Sequence, residues 1–292
     1  MPYPRRRLRW LGSSALLAAA LGFGASWVAG REASAPAPAR IGAPPADLPV
    51  EAVTIPSGSG SRLAGWFIPG EPHRGAVLLM HGVRANRGEM LGRARFFHKL
   101  GFAVLLFDFQ AHGESPGRSI TFGYLEAKDA RAAFDFLRRK APGERIGVDG
   151  LSLGGASAVL ADPPLEADAM VLEAVYGSFD TAVGNRMAVR FGPLARYLTP
   201  LLTWQVKPRL GFDPDVLAPA ARIGRVHAPM LLIAGDVDQL ASLDEAKLLY
   251  ANANEPKALW IIPGARHQDF HRYVPEAYEQ RVGGFFKERL RN

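Results

Sequence analysis

The stretch Gly150-Leu151-Ser152-Leu153-Gly154 lies between two different kinds of sequence. Before it comes an apolar run at Ile146–Val148, and after it come small residues from Gly155 to Leu160. This order predicts a strand, a sharp turn and a helix, which is the context of a nucleophilic serine. The flanking glycines allow a tight turn and keep side chains away from the serine. A glycine-rich turn with no catalytic role can have this same five-residue pattern. The interpretation therefore depends on the rest of the chain.

Apolar runs alternate with helical patterns along most of the chain. The strand-like runs are Ala76–Met80, Ala103–Phe107, Arg145–Val148, Ala169–Ala174, Met230–Ala234 and Ala258–Ile262. The helical patterns are clearest at Tyr124–Arg139, Ala156–Ala161, Leu243–Ala251 and Pro275–Arg291. Continuous apolar runs separated by helices indicate a parallel sheet covered on both faces. Two shorter runs at 50–56 and 62–69 predict a leading hairpin. The sequence therefore predicts an α/β fold with a mostly parallel central sheet of about eight strands, flanked by helices.

Residues 177–226 interrupt this alternation with a long segment that contains five prolines. An insertion of this length between two strands predicts a helical cap. Five of its seven basic residues are interleaved with aromatic and leucine side chains, namely Arg186, Arg190, Arg196, Lys207 and Arg209. They indicate either a solvated surface or a cationic lid, and a cationic lid would favour anionic acyl substrates or an acidic membrane surface.

The first 49 residues differ in composition from the rest. Four arginines in residues 5–9 precede an uncharged run from Leu11 to Ala29, which as a helix would span about 28 Å, close to the hydrocarbon core of a bilayer. Residues 1–30 are therefore expected to be a signal peptide or a membrane-spanning signal-anchor helix. The candidate cleavage sites are Val28-Ala29-Gly30 and Ala33-Ser34-Ala35.

Residues 31–49 contain five prolines and six alanines without apolar periodicity, which predicts an extended linker. The folded domain is then expected at 50–292. Since the basic end stays in the cytoplasm, this domain is expected outside the cytoplasm, which is the periplasm in a Gram-negative bacterium.

The composition excludes several classes of protein. The chain has 292 residues, no cysteine and a formal net charge of +7. Without cysteine there is no disulfide, thiol nucleophile or Cys-bound zinc. Residues 1–49 and 177–226 each carry a net +4, so the positive charge does not form one nucleic-acid-binding face. No metal-ligand spacing and no phosphate-binding glycine motif is evident, so no cofactor, metal or nucleic acid is expected.

Four further motifs lie at the ends of predicted strands. They are His81-Gly82, Asp108–Ser115, Leu232–Asp238 and Pro263–His267. Together with the serine turn they resemble the α/β-hydrolase superfamily, in its serine aminopeptidase and lysophospholipase-like branch, over about residues 50–291. Two details depart from that pattern: Gln110-Ala111 replaces the usual Arg-Gly, and Gln239-Leu240-Ala241 replaces a common x-Val-Pro.

The resemblance implies a Ser-His-Asp triad and an oxyanion hole. The implied roles are nucleophile for Ser152, general base for His267, orienting acid for Asp238, and backbone oxyanion donors for Val83 and Leu153. Asp236 lies two residues before Asp238, and both follow the same apolar run. In relatives the acid is the third residue after the glycine that ends this strand, which favours Asp238 and leaves Asp236 to brace the turn.

The expected activity is that of a cofactor-free serine hydrolase of the carboxylesterase or lipase kind. It would cleave a small-molecule acyl ester or thioester through an acyl-enzyme, with the membrane contacted by its N-terminal helix. Two alternatives stay open: a serine peptidase of the aminopeptidase kind, and a non-catalytic binding protein that retains the fold. A peptidase of that kind needs a carboxylate or carbonyl cluster for the free amino terminus, and none is evident in the sequence. The acyl group, the alcohol and the oligomeric state are left open at this stage.

Overall fold

A central β-sheet organises the chain in the computed structural model, which describes residue 20 and residues 22–291. Within these residues the strands are β1 (Ala37–Pro38), β2 (Glu51–Pro56), β3 (Arg62–Ile68), β4 (Ala76–Met80), β5 (Ala103–Phe107), β6 (His112–Gly113), β7 (Ile146–Leu151), β8 (Ala169–Glu173), β9 (Met230–Gly235) and β10 (Lys257–Ile262). Eight of them form one sheet in the order β10-β9-β8-β7-β4-β5-β3-β2. Only the β2–β3 and β3–β5 pairs are antiparallel. The predicted mostly parallel sheet of about eight strands is confirmed.

The helices cover both faces of this sheet. In the described residues they are α1 (22–33), α2 (Leu91–Lys99), α3 (Glu126–Lys140), α4 (Leu153–Leu160), α5 (Phe179–Phe191), α6 (Ala195–Thr203), α7 (Val206–Leu210), α8 (Pro219–Arg222), α9 (Leu243–Asn252), α10 (Phe270–Tyr273) and α11 (Pro275–Leu290). Helices α3, α4, α8 and α9 share one buried apolar cluster with the sheet, and α2, α10 and α11 share another. The strands β4, β5 and β8 are buried along their whole length because both of their faces are covered.

Helices α5, α6 and α7 form the cap, in the crossover between β8 and β9. Helix α5 begins at a capping box in which Ser178 and Thr181 satisfy each other's backbone N–H groups. Pro200 lies inside α6, and the chain then turns into α7 at Gln205. The cap thus follows the carboxyl end of β8. The loops that follow the parallel strands lie at this same edge of the sheet.

Helix α1 packs on the cap. The buried Gln205 side chain donates hydrogen bonds to the Ser26 carbonyl oxygen (3.0 Å) and to its hydroxyl (3.2 Å). The Arg209 guanidinium lies 4.3 Å from the Trp27 ring centroid, and the rings of Phe23 and Trp204 are 5.4 Å apart. No helix in the described part of the chain is long and apolar enough to cross a membrane. Most of the expected signal or anchor segment, residues 1–30, lies outside the described residues.

The expected linker at residues 31–49 is partly docked on the domain, so folded structure begins before residue 50. Ala37 and Ala39 donate backbone hydrogen bonds of 2.8 Å to the carbonyl oxygens of Ala111 and Gly113, which pairs β1 with β6. Composition did not indicate this contact because a proline-rich strand of two residues has no apolar period, yet its free N–H groups still find carbonyl partners.

Candidate active site

The serine turn has the backbone that its sequence predicts. Ser152 lies between β7 and α4 with φ 51° and ψ −109°, a conformation that L residues rarely adopt. Its backbone N–H donates a 2.7 Å hydrogen bond to the Glu173 carbonyl oxygen, which ties the turn to β8. A Cβ at Gly154 would lie 2.3 Å from the Met80 carbonyl oxygen, so only glycine permits this approach of α4 to β4.

The expected acid and base are neighbours. Asp238 follows β9, His267 follows β10, and their side chains meet because these parallel strands are adjacent. The His267 Nδ1 atom lies 2.8 Å from Asp238 Oδ2. The other carboxylate oxygen of Asp238 accepts backbone hydrogen bonds from Leu240 (2.8 Å) and Ala241 (3.0 Å). The carboxylate is therefore fixed, and it selects the imidazole tautomer with its proton on Nδ1.

Asp236 has a different partner. Its Oδ1 atom accepts a 2.6 Å hydrogen bond from the backbone N–H of Gly264, in the turn after β10. The side chain is exposed, whereas Asp238 is buried. Asp236 thus holds the loop that carries His267.

Two cavities meet at Ser152. One, of about 300 Å³, is also lined by His267, Gln268, Glu89 and Asp269. We call it the polar cavity.

The other, of about 200 Å³, is lined mainly by apolar side chains of the cap and of the loops at the sheet edge. Among them are Phe122, Phe179, Val183, Met187, Leu202 and Leu210. We call it the apolar cavity. Residues Gly30 and Ala33 of α1 complete its wall, which the sequence did not indicate.

The two expected oxyanion donors, Val83 and Leu153, both line the apolar cavity beside Ser152. Leu153 is the first residue of α4, where a backbone N–H has no acceptor within the helix. The loop before Val83 is held by His81, whose Nδ1 donates to the Gly82 carbonyl oxygen (2.7 Å) and whose Nε2 accepts from the Phe109 N–H (3.1 Å). Burial, together with the nearby His112, lowers the pKa of His81 to about 3, so this ring is neutral and structural.

The motif at residues 108–115 braces the same edge of the sheet. Asp108 accepts from the backbone and guanidinium of Arg87, and that guanidinium also pairs with Glu114. The Ser115 hydroxyl donates a 2.7 Å hydrogen bond to the Asp108 carbonyl oxygen and accepts one of 2.9 Å from the Ala64 N–H. The Ser115 hydroxyl therefore has a structural role, because it bridges these two backbone groups.

A buried polar cluster behind the serine turn was not predicted from the sequence. The Arg93 guanidinium, 1% exposed, pairs with Glu173 (2.8 Å) and Asp269 (2.7 Å). The Tyr278 hydroxyl donates to Glu173 (2.6 Å), and its oxygen lies 3.0 Å from Asp149 Oδ2. Burial, and then the charge of Glu173, raises the pKa of Asp149. These residues join β7, β8, α2, α11 and the segment after His267. The partners of Arg93 lie 80 to 185 positions away in the sequence, so no local pattern indicates the cluster.

We expect Arg93→Met to destabilise the protein by about 3–5 kcal/mol, because it leaves the buried Glu173 carboxylate without its cation. The measurement is chemical denaturation followed by tryptophan fluorescence. Arg95→Met is the matched control on the same helix. Arg95 pairs with Asp47 at an exposed site, and its loss should leave the denaturation midpoint almost unchanged. Equal denaturation midpoints for the two variants would contradict the assignment of Arg93 as the cation that compensates the buried Glu173.

In the part of the chain that the structure describes, no group of three or more histidine, aspartate or glutamate side chains could hold a metal ion.

Comparison with known proteins identifies the family and the same kind of fold. The family model described as serine aminopeptidase, S33, matches residues 71–214. An uncharacterized protein of Mycobacterium tuberculosis is 34% identical over 239 residues, which are 79% of this chain and 75% of that protein. The uncharacterized protein YqkD of Bacillus subtilis is 26% identical over 238 residues, 80% of this chain and 78% of that one. An esterase structure from Pyrococcus furiosus has a TM-score of 0.71 and 26% identity, and covers 88% of this chain and 98% of its own.

Proposed function

Because this chain belongs to the serine aminopeptidase S33 family of α/β-hydrolases, we propose that it is a serine hydrolase that cleaves an acyl ester or thioester through Ser152. The observation that carries the proposal is the position of Ser152, which lines one cavity together with His267 and a second, apolar cavity suited to an acyl group. The 2.8 Å contact between His267 and Asp238 supports the assignment of the base and its orienting acid. Hydrolase activity itself follows from the family.

In the proposed reaction, Ser152 Oγ attacks the carbonyl carbon of the substrate while its proton passes to Nε2 of His267. Asp238 stabilises the imidazolium that results. The backbone N–H groups of Val83 and Leu153 stabilise the negative oxygen of the tetrahedral intermediate. The intermediate collapses, the bond to the alcohol or thiol breaks, and His267 returns the proton to that leaving group. Water then attacks the acyl-enzyme by the same route and releases the carboxylic acid.

Fluorophosphonate labelling of the purified protein tests this proposal, followed by p-nitrophenyl esters of increasing chain length and their amide analogues. We expect labelling at Ser152 and higher kcat/KM for esters than for amides. Absence of both labelling and hydrolysis would instead favour a non-catalytic binding protein that retains the fold.

We expect Val183→Phe to shorten the preferred acyl chain, because Val183 lines the apolar cavity and a larger side chain fills it. Each methylene that no longer fits should lower kcat/KM about fourfold, which corresponds to about 0.8 kcal/mol of burial. Val189→Phe is the matched control, since Val189 lies on the same helix and is 56% exposed. The p-nitrophenyl ester series measures both variants, and an unchanged profile for Val183→Phe would exclude this cavity as the acyl site.

A peptidase is the second candidate, and one observation favours it. Glu89 and Asp269 line the polar cavity with Ser152 and His267, where carboxylates could receive a peptide's free amino group. Against it, Arg93 already pairs with Asp269, and burial, followed by the charge of Asp269, raises the pKa of Glu89. Both effects weaken the negative charge available to an amine. Hydrolysis of leucine p-nitroanilide at a higher kcat/KM than p-nitrophenyl hexanoate would favour the peptidase.

Membrane attachment or export through residues 1–30, with the catalytic domain outside the cytoplasm, also remains our proposal. It is supported by the arginines at residues 5–9 followed by the uncharged run. The exposed aromatic side chains Phe23, Trp27, Tyr197 and Trp204, beside basic residues of the cap, are compatible with contact to an anionic lipid surface. A topology reporter fused after residue 292 tests this, and activity of the reporter only in the cytoplasm would contradict it.

A further inference from the structure

Arg186 is the residue of helices α5 to α7 that lines both cavities. It lies on α5 and lines both the apolar and the polar cavity, each of which Ser152 also lines. The other basic residues of α5 and α6, Arg190 and Arg196, are exposed on the outer surface of the cap. A charged group on the wall of both cavities can therefore contact a substrate that occupies them.

The Arg186 guanidinium lacks a carboxylate partner in the part of the chain that the structure describes. Its Nη1 atom donates to the Ala182 carbonyl oxygen of its own helix, at 3.0 Å. The nearest acidic groups, Asp238 and Glu245, are engaged elsewhere: Asp238 with His267, and Glu245 with Gly177, Thr181, Asn185 and Ser242. Burial lowers the pKa of Arg186, against the smaller opposite influence of Tyr176 and these carboxylates.

Two arginines that are fully buried differ from the half-buried Arg186. Arg87 pairs with Asp108 and Glu114, and Arg93 pairs with Glu173 and Asp269. Arg186 is half-buried and lines both cavities, where a guanidinium without a counter-charge is unfavourable, so its position indicates that an anion from outside the chain completes the site.

We propose that Arg186 binds an anionic group of the substrate, close to the scissile bond, so that the preferred substrates are acyl esters or thioesters that carry a carboxylate or phosphate. This inference rests on the proposed serine hydrolase function. The acyl chain occupies the apolar cavity, and the anion lies at the junction of the two cavities. A guanidinium binds either anion through two parallel N–H donors. Asp269 does not oppose the anion strongly, because Arg93 neutralises it.

Two matched pairs of hexanoyl esters test the inference. The phosphate pair is 1-hexanoylglycerol 3-phosphate and 1-hexanoylglycerol, and the carboxylate pair is 3-(hexanoyloxy)propanoate and its methyl ester. We expect the intact protein to hydrolyse the anionic member of at least one pair with about 10- to 100-fold higher kcat/KM, as a charged hydrogen bond contributes. A preference confined to one pair supports the inference and identifies the anion as phosphate or carboxylate.

Arg186→Met should lower kcat/KM for the preferred anionic ester by about 10- to 100-fold and abolish most of the preference over its neutral partner. Arg186→Lys should retain part of the preference because it keeps the charge but not the paired donors. Arg190→Met, at an exposed site on the same helix, is the control and should match the unsubstituted protein.

Equal kcat/KM for both members of each pair, or an equal loss for both in Arg186→Met, would overturn the inference and leave the serine hydrolase standing. Failure of the unsubstituted protein to hydrolyse any ester or to react with a fluorophosphonate would instead reject the proposed function, and this inference with it.

Discussion

Ser152→Ala should abolish fluorophosphonate labelling and lower the kcat for ester hydrolysis by at least about 10⁴-fold, as loss of a triad nucleophile does. The physical reason is that no covalent acyl-enzyme can form without the hydroxyl, while the cavities that bind the substrate remain. Ser152 is buried in a turn with φ 51°. Alanine keeps the Cβ of serine and removes one small polar group, so the variant should fold normally. Intact-mass spectrometry after labelling, together with steady-state kinetics, measures the effect.

Ser115→Ala is the matched control for this experiment. Ser115 is also buried, and its hydroxyl bridges the Asp108 carbonyl oxygen and the Ala64 N–H. We expect that variant to keep its labelling and to lose stability by about 1–3 kcal/mol, since a buried donor and acceptor are left unpaired. Labelling that persists in Ser152→Ala and disappears in Ser115→Ala would place the nucleophile at Ser115.

Asp238→Asn should lower kcat by up to about 10⁴-fold with the fold intact. An amide in place of the carboxylate favours the imidazole tautomer with its proton on Nε2, which can no longer accept the serine proton. The two backbone hydrogen bonds from Leu240 and Ala241 can still be accepted by the amide oxygen, so the turn should survive. Steady-state kinetics measures the loss of kcat, and circular dichroism shows whether the fold is retained.

Asp236→Asn is the matched control, two residues away on the same turn. Its contact is with the Gly264 N–H at 2.6 Å, which an amide oxygen can also accept. We expect kcat within about threefold of the unsubstituted protein and a loss of stability of about 1 kcal/mol at most. If Asp236→Asn lost kcat and Asp238→Asn did not, the roles of the two acids would be reversed.

Local patterns account for the parts of this molecule that could be predicted from its sequence. The buried strands read as continuous apolar runs because each is covered on both faces, and the serine turn is recognisable because its glycines are required by close backbone contacts. The proximity of Asp238 and His267 follows from the adjacency of β9 and β10, once the fold is recognised.

The parts that could not be predicted depend on contacts between distant residues. Arg186 and Arg190 are four residues apart in an amphipathic, basic segment, and only packing decides which of them faces Ser152. The partners of Arg93 lie on strands and loops far along the chain. Phe23 and Trp27 suit a membrane-spanning helix and a helix docked on a protein surface equally well, because both need large apolar side chains.

The position of α1 connects N-terminal processing with substrate choice. Both candidate cleavage sites, Val28-Ala29-Gly30 and Ala33-Ser34-Ala35, include residues that line the apolar cavity. A cut at either site would detach the helix that Gln205 and Arg209 hold, and would open one side of the cavity to water. Long acyl chains would then bury less apolar surface against the cavity wall, whereas short chains would not be affected. Under the proposed function, the ratio of long-chain to short-chain turnover in a preparation would therefore measure how much of the protein still has its N-terminal helix.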